Sequence, residues 1–216
     1  MKYYQRLILL IIAVCTLNII DAQTVYTCNG KYRIELPSKL ELQHSELNTV
    51  NRIASQNKKS QVNIRTNSDQ IIFQQKGLNA NTKDAYNKYC RVMMHYYQED
   101  RNEPVFGRGD QIVVDRNILY AINESTRKAC TLNKTPLLKF FSMQSLSING
   151  FPVLFYSYRR KGWEGKNPPV IVNVYQIYNR YESVILTFSY REAERDMWKS
   201  IHNNIMKTCN YSAIGA

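Results

Sequence analysis

A basic segment with one tryptophan carries the most distinctive chemistry of this sequence. Arg159, Arg160, Lys161 and Lys166 surround Trp163, which has a glycine on either side in the same segment. A large aromatic side chain is costly to leave in water, whereas a ring flanked by cations can stack on a sugar or anchor a protein partner. We therefore predict a binding site at these five residues. In the alternative interpretation, Trp163 packs over the edge of a sheet and the cations are solvated.

The residue patterns of common catalytic centres do not occur in the sequence. The histidines lack the H-E-x-x-H spacing of a zinc site; they are His44, His95 and His202. The G-x-S-x-G turn of serine hydrolases is missing, as are the phosphate loop and the dinucleotide fingerprint. The sequence therefore predicts a protein that is not an enzyme and that uses no metal and no cofactor. We expect His202 to be half exposed on the last helix.

Three carboxylates stand close together near the start of the last predicted helix. Glu192, Glu194 and Asp196 could serve a hydrolase only if two of them converged on a cleft. Acidic residues at the start of a helix also stabilise it through the helix dipole, and we prefer this interpretation. A hydrolase is therefore the least favoured function.

Four cysteines lie outside the N-terminal apolar segment, namely Cys28, Cys90, Cys130 and Cys209. An even number of cysteines in a chain that we expect to be exported indicates two disulfides, with three possible connectivities. Because chain termini often lie close together, we favour Cys28–Cys209 together with Cys90–Cys130. No C-x-x-C spacing occurs, which argues against a zinc knuckle or a thioredoxin-type motif.

Residues 1–22 have the features of a secretory signal peptide. Lys2 and Arg6 give a positive start, residues 7–14 form an unbroken apolar run, and Ala22 is a suitable residue before the cleavage point. We therefore expect an exported protein, either periplasmic or extracellular.

Two other uses of this leader are less favoured. A membrane span needs about 20 consecutive apolar residues, and polar side chains interrupt the run from Cys15 onwards. A lipid anchor at Cys15 would need a small residue before it, whereas the branched Val14 stands there. We expect no transmembrane span after removal of the signal.

Composition and charge suit one ordinary folded domain, which we place at residues 23–216. The chain has 216 residues, of which 44% are apolar and 12% aromatic, and these values exclude collagen-like and wholly disordered chains. The net charge is +12, or +11 once Lys2, Arg6 and Asp21 are removed with the leader. Such a charge attracts polyanions, although export makes nucleic acid an unexpected partner. The charges are scattered, so solubility alone is the alternative explanation.

The first half of the domain mixes short strands with helical patterns. Strands are predicted at residues 31–36, 70–75 and 89–97, and Leu40 and Leu42 continue the first of them after a break. Apolar residues at helical spacing predict a helix at 46–56. A second helix follows, capped by Asp110 or Asp115. Its apolar face consists of Val114, Ile118, Ile122 and Ala129.

Two hairpins and a final helix are predicted in the second half. Asn149-Gly150 is a strong turn signal and joins strands at 138–148 and 151–160, while strands at 170–178 and 181–190 form the next hairpin. Ser189 and Glu192 fit a capping box before the last helix. That helix turns these residues inward: Ala193, Met197, Trp198, Ile201 and Ile205.

The strands around residues 151–156 and 170–172 are apolar at both alternating positions. A strand of this kind is covered on both faces. The sequence therefore predicts an α/β fold, an α/β/α sandwich with a mostly antiparallel sheet in a single domain.

Several of these features recur together in one known family. They are Leu36-Pro37, Phe151-Pro152-Val153 with Tyr156 and Tyr158-Arg159, the strand at 170–178, and Ser189-Tyr190-Arg191 before a helix with Trp198. Across residues 31–207 the chain resembles the PsbP-like fold, named for an extrinsic subunit of photosystem II and shared by small exported bacterial proteins. Residues 71–78 are similar to secreted Bacteroidetes-type proteins of that shape. The resemblance implies a binding or scaffolding module without common catalytic residues.

The favoured function is an exported, non-enzymatic binding or adaptor module that uses the basic, aromatic segment. Its partner is an unidentified protein or an anionic ligand. The second hypothesis is a polyanion or glycan binder, whose affinity would fall steeply with salt. An aromatic protein interface would instead tolerate salt but fail on Trp163→Ala.

Overall fold

The computed structural model describes residues 22–27, 31–43, 63–65, 69–86, 88–98, 105–162 and 168–211, with the backbone alone at 22–27 and 63–65. Its strands are β1 (Ala22–Thr27), β2 (Tyr32–Pro37), β3 (Leu40–Leu42), β4 (Asn63–Arg65), β5 (Gln70–Gln75), β6 (Cys90–Gln98), β7 (Leu137–Ile148), β8 (Phe151–Arg160), β9 (Val170–Asn179), β10 (Glu182–Arg191) and β11 (Asn210–Tyr211). The helices among these residues are α1 (Lys83–Tyr86), α2 (Arg116–Leu132) and α3 (Arg195–Thr208). Most of the predicted leader, the predicted helix at 46–56, Cys28, Trp163 and Lys166 lie outside the described residues.

The main sheet has seven antiparallel strands in the order β3-β5-β6-β10-β9-β8-β7. Every strand predicted between residues 70 and 190 is confirmed within two residues at each end. Strand β9 lies inside this sheet, and its first five residues, 170–174, are all buried. Because successive side chains of a strand point to opposite faces, both faces of the sheet are covered at β9.

Tight turns with left-handed backbone join the central strands. Asn149 and Gly150 have φ values of 52° and 82° between β7 and β8. Positive φ at both central residues is the hairpin geometry that matches the twist of the strands, and Asn-Gly adopts it at little cost. Arg180 has a φ of 57° in the turn between β9 and β10. Both predicted hairpins are therefore confirmed.

One face of the main sheet, which we call the packed face, is covered by α3 and by a second sheet. This second sheet has the order β11-β2-β1-β4 and was not predicted. Strand β1 runs parallel to β4 and antiparallel to β2. Ile34 and Leu36 of β2 and Ile205 of α3 are fully buried in one apolar cluster with the main sheet.

The opposite face, which we call the cavity face, is covered by α2. Asp115 caps this helix, and its carboxylate accepts a hydrogen bond of 2.8 Å from the backbone N–H of Ile118. Asp115 is thus the cap, whereas Asp110 accepts from the backbone N–H of Gly107 in the preceding turn. With α3 and α2 on opposite faces, the predicted α/β/α arrangement and mostly antiparallel sheet are confirmed.

The predicted capping box at Ser189 and Glu192 is wrong. Strand β10 continues through Ser189 to Arg191, a 3-10 turn follows at Glu192–Glu194, and neither this turn nor α3 has a side-chain cap. The hydroxyl of Ser189 lies instead within 3.2 Å of the Tyr89 hydroxyl, on the sheet. Pairing of β10 with both neighbouring strands outweighs the local signal for a helix start.

The interior of α3 differs from the prediction at His202. Trp198 and Ile205 are buried as expected, whereas Ala193 is exposed. His202 is buried as well, against the rings of Phe188 and Tyr175 at centroid distances of 4.1 and 5.3 Å. The helix turns this side chain toward the aromatic residues of the sheet, where we expected a half-exposed surface position.

The predicted Cys90–Cys130 disulfide is not formed. Cys90 belongs to the apolar cluster of the packed face, whereas Cys130 of α2 lies over the cavity face, so the main sheet separates them. Both carry free thiols, as does Cys209, which donates to the carbonyl of Ile205. Because the thiol of Cys209 is free, the predicted Cys28–Cys209 disulfide is also wrong.

Because His202 is buried, the free energy of unfolding of the protein depends on pH. Desolvation by burial lowers the pKa of His202 from 6.5 to about 4. As the pH falls, His202 is therefore protonated in the unfolded chain before it is protonated in the folded protein. The free energy of unfolding consequently decreases as the pH falls from 6.5 towards 4. Between pH 7 and pH 4.5 the loss from this one group is about 2 kcal/mol.

Between pH 7 and pH 4.5 we expect the free energy of unfolding to fall by about 2 kcal/mol less in the His202→Leu variant than in the wild type, because leucine binds no proton. Urea unfolding at pH 7 and pH 4.5 measures the difference. The control is Asn203→Leu, on the exposed side of the same helix, which should keep the pH dependence of the wild type. An equal loss in the wild type and in His202→Leu would contradict the assignment.

Candidate functional site

A cavity of about 590 Å³ lies between the cavity face of the main sheet and the C-terminal part of α2. The centre of its floor consists of Val170, Val172 and Val174, which follow one another along β9. Other apolar groups pack against this spine of valines: Tyr89, Tyr156, Tyr158 and Ile185. The floor is therefore continuous apolar surface in the middle of the sheet.

Strand register gives this floor two chemically different ends. One cross-strand row contains Arg160, Val170 and Arg191. The next row contains Tyr158, Val172, Ser189 and Arg91, and the one after it contains Tyr156, Val174, Thr187 and Met93. Cationic side chains thus occupy one end of the floor, and aromatic and aliphatic side chains continue from there along β9.

Helix α2 forms the roof but covers the sheet only in part. Its buried residues are Thr126 and Cys130, and Cys130 lines the cavity with Ala129 and Asn133. Beyond the helix, the backbone N–H of Thr135 donates to the carbonyl of Cys130 at 2.8 Å, which turns the chain back towards β7. The roof contributes small and polar groups, so the space beneath it is wide.

Three arginines line the cationic end, and each has a different environment. Arg191 lies 3.9 Å from the carboxylate of Glu194, and Arg160 donates to the carbonyl of Lys161 at 3.0 Å. The Nε of Arg91 is buried and has no hydrogen-bond partner among the described residues. A buried donor without an acceptor is costly, so Arg91 is the arginine of this set with an unmet need for an acceptor.

The titratable groups beside the arginines are held in their neutral forms. Burial raises the pKa of Tyr156 to about 12 and raises the pKa of Tyr158 further. Burial also raises the pKa of the Cys130 thiol, although the charge of Arg160 opposes this shift. At neutral pH these groups offer hydrogen bonds and apolar contact rather than a nucleophile or a base.

The structure separates the residues that the sequence predicted as a binding site. Arg160 lines the cavity, whereas Arg159 pairs with Glu192 at 2.8 Å and Lys161 is exposed. Trp163 and Lys166 lie outside the described residues. Gly162 and Pro168 both line the cavity, so the predicted segment leaves the sheet and returns to it at the cavity wall.

Sequence reasoning missed most of the cavity. Arg191 and the two tyrosines of β8 were noted only for the fold resemblance, and Arg91 was not noted at all, because these residues meet only through strand pairing. The apolar residues at both alternating positions of β9 did predict that both faces of the sheet are covered. They did not predict that α2 leaves a cavity over the sheet. The part of the chain that the structure describes holds no cluster of metal-ligating side chains. Within that same part, no helix is long and apolar enough for a membrane span.

Comparison with known proteins establishes the fold. No family model and no curated protein matches the sequence. The cyanobacterial PsbP (CyanoP) of Synechocystis sp. PCC 6803 is similar in structure, with a TM-score of 0.52 and 11% identity over 91% of this chain and 96% of that one. The chain therefore has a PsbP-like fold, as the resemblance implied.

Two further solved structures overlap more loosely. The Ran-binding protein Mog1p of Saccharomyces cerevisiae has a TM-score of 0.46 and 10% identity over 89% of this chain and 96% of that one. A Bacteroides thetaiotaomicron protein has a TM-score of 0.45 and 5% identity over 87% of this chain and 47% of that one. At these values neither carries an inference about this chain.

The position of Cys130 beneath α2 predicts selective alkylation. All three thiols are buried, with Cys90 and Cys130 each 3% exposed and Cys209 1% exposed. Cys90 and Cys209 lie within the packed core, and burial raises the pKa of Cys209 to about 12. Cys130 borders the cavity, through which a small reagent has access. We expect iodoacetamide to modify Cys130 at least about tenfold faster than Cys90 or Cys209 in the folded protein.

Peptide-resolved mass spectrometry after short exposure at pH 8 measures the three rates separately. Alkylation in urea, where all three thiols are accessible, is the control for intrinsic reactivity. Equal rates for Cys90 and Cys130 in the folded protein would show that the reagent does not reach the thiol of Cys130 through the cavity.

Proposed function

We propose that this chain is a non-enzymatic binding module that holds a small, largely apolar ligand in the cavity beneath α2. The observation that supports it is the cavity itself, about 590 Å³ with a spine of valines and a few polar groups at one end. Ligand sites in proteins have this size and this mixture of an apolar lining with a small number of polar groups.

The chemistry of the lining favours binding over catalysis. The described lining residues include no carboxylate and no histidine that could act as a general base. The tyrosines and Cys130 are neutral at pH 7, and burial moves their pKa values further above it, while arginine does not give up its proton in proteins. These groups can orient a ligand, but none is suited to start a hydrolytic reaction.

The basic, aromatic segment belongs to the same proposal. Arg160 is part of the cavity, and so are Gly162 and Pro168, which precede Trp163 and follow Lys166 in the sequence. Trp163 and Lys166 remain predicted contacts at this position, either with the bound molecule or with a protein partner. Weaker binding in Trp163→Ala would include this residue in the site.

Export is proposed with the function. The leader at residues 1–22, cleavage after Ala22 and a single domain at 23–216 rest on the sequence alone. The Bacteroidetes-type origin also rests on the sequence alone. The polyanion alternative rests on the net charge of +11 after cleavage, and binding to heparin that disappears at high salt would favour it.

A neutral fluorescent probe tests the cavity directly. N-phenyl-1-naphthylamine brightens in apolar surroundings, and we expect it to bind the wild-type protein. The Val172→Trp variant places a larger ring on the floor of the cavity, so affinity should fall at least about fivefold. Circular dichroism checks that the variant keeps its secondary structure.

The matched control is Val113→Trp, because Val113 is 78% exposed and lies outside the cavity lining. This variant should bind the probe as the wild type does. Equal probe affinity in the wild type and in a folded Val172→Trp variant would reject the cavity as a ligand site.

A further inference from the structure

We infer that the cavity takes an amphiphile whose oxyanion head, a carboxylate or a phosphate, lies among Arg91, Arg160 and Arg191 while its apolar body runs along β9. This inference rests on the proposed function and adds the chemical class of the ligand. It follows from strand register, from the charges that line the cavity and from the dimensions of its floor.

The register places the arginines together at one end of the cavity. Arg160 and Arg191 flank Val170 in one cross-strand row, and Arg91 lies in the next row beyond Ser189. These residues lie far apart in the sequence, on β8, β10 and β6. Arginine side chains present paired N–H donors that fit carboxylate and phosphate oxygens.

The charge of this end is not balanced by the described lining residues. They contribute three arginines and no carboxylate. The nearby Glu194 pairs with Arg191 at 3.9 Å through one carboxylate oxygen, while its other oxygen accepts from the backbone N–H of Tyr89 at 2.9 Å and from the indole N–H of Trp198 at 3.1 Å. Glu192 pairs with Arg159, outside the cavity lining. The described lining residues therefore supply no carboxylate for Arg91 and Arg160, and an anion brought by a ligand would meet their positive charge.

Arg91 shows the imbalance most clearly. Its buried Nε has no hydrogen-bond partner among the described residues. Its cross-strand partner is Ser189, whose hydroxyl lies 3.2 Å from that of Tyr89. Because a buried unpartnered donor costs free energy, a ligand oxygen here would gain a strong, charge-assisted hydrogen bond.

The remaining floor suits an apolar body rather than a second charged group. From Val170 to Val174 the strand rises by about 13 Å, and tyrosines of β8 flank it along this length. Burial keeps the hydroxyls of Tyr156 and Tyr158 protonated at neutral pH. A medium-length acyl chain fits this geometry, with its head at the arginines.

The test compares three ligands that share a ten-carbon chain and differ in the head group. Decanoate, decyl phosphate and decanol compete with N-phenyl-1-naphthylamine for the full-length protein at concentrations below micelle formation. We expect at least one of the two anions to displace the probe about tenfold more effectively than decanol. Tighter decanoate would assign a carboxylate head, and tighter decyl phosphate a phosphate head.

The Arg91→Gln variant should lose this preference while binding decanol as the wild type does. Arg127→Gln is the control, because Arg127 is exposed on α2 and pairs with Glu124, so it should keep the preference. Arg160→Gln is the second variant, used if Arg91→Gln shows an altered circular dichroism spectrum.

Two results would overturn the inference and leave the proposed function standing. In the first, decanol and the anions displace the probe equally; in the second, Arg127→Gln reduces anion binding as much as Arg91→Gln does. If the probe does not bind the wild type, or binds Val172→Trp equally well, the proposed function itself fails.

Discussion

Strand β9 must bury side chains on both faces, and the rest of the structure is arranged around this requirement. Ile171 and Ile177 point into the packed core, while Val170, Val172 and Val174 point the other way. Burying an aliphatic side chain of this kind stabilises the fold by about 1.5–3 kcal/mol. Strands β8 and β10 therefore pair on either side of β9, and both faces of the sheet need a cover.

The packed face of the main sheet is covered closely and the cavity face only in part, and the candidate site lies on the cavity face for this reason. On the packed face, α3 and the second sheet form one apolar cluster with the main sheet. On the cavity face, α2 buries Thr126 and Cys130, while its Tyr120 and Leu132 are 70% and 83% exposed. The residues packed against the valines come from the sheet and from Tyr89, and none comes from α2. A cavity results, and the strand register lines one end of it with arginines.

Much of this fold could be predicted from local patterns. Alternating apolar residues located the strands of the main sheet, and Asn149-Gly150 located a hairpin because its geometry is local. Of the second sheet only β2 was predicted. Strands β4 and β11 have three and two residues and pair with strands far away in the sequence, and β1 begins at the last residue of the predicted leader. The same reason hid Arg91 and Arg191, which meet only through pairing. At Ser189 and His202 the predictions from the local sequence were wrong, because contacts within the folded sheet and its cover decide both positions.

The central claim is that a ligand enters on the cavity face and not on the packed face. Valines lie on both faces, so methyl-resolved NMR of a valine-labelled sample can separate them during titration with N-phenyl-1-naphthylamine. We predict that the methyl signals of Val170, Val172 and Val174 shift, while those of Val92, Val153 and Val184 in the packed core stay in place. Shifts confined to the packed core, or to the exposed Val113, would contradict the account.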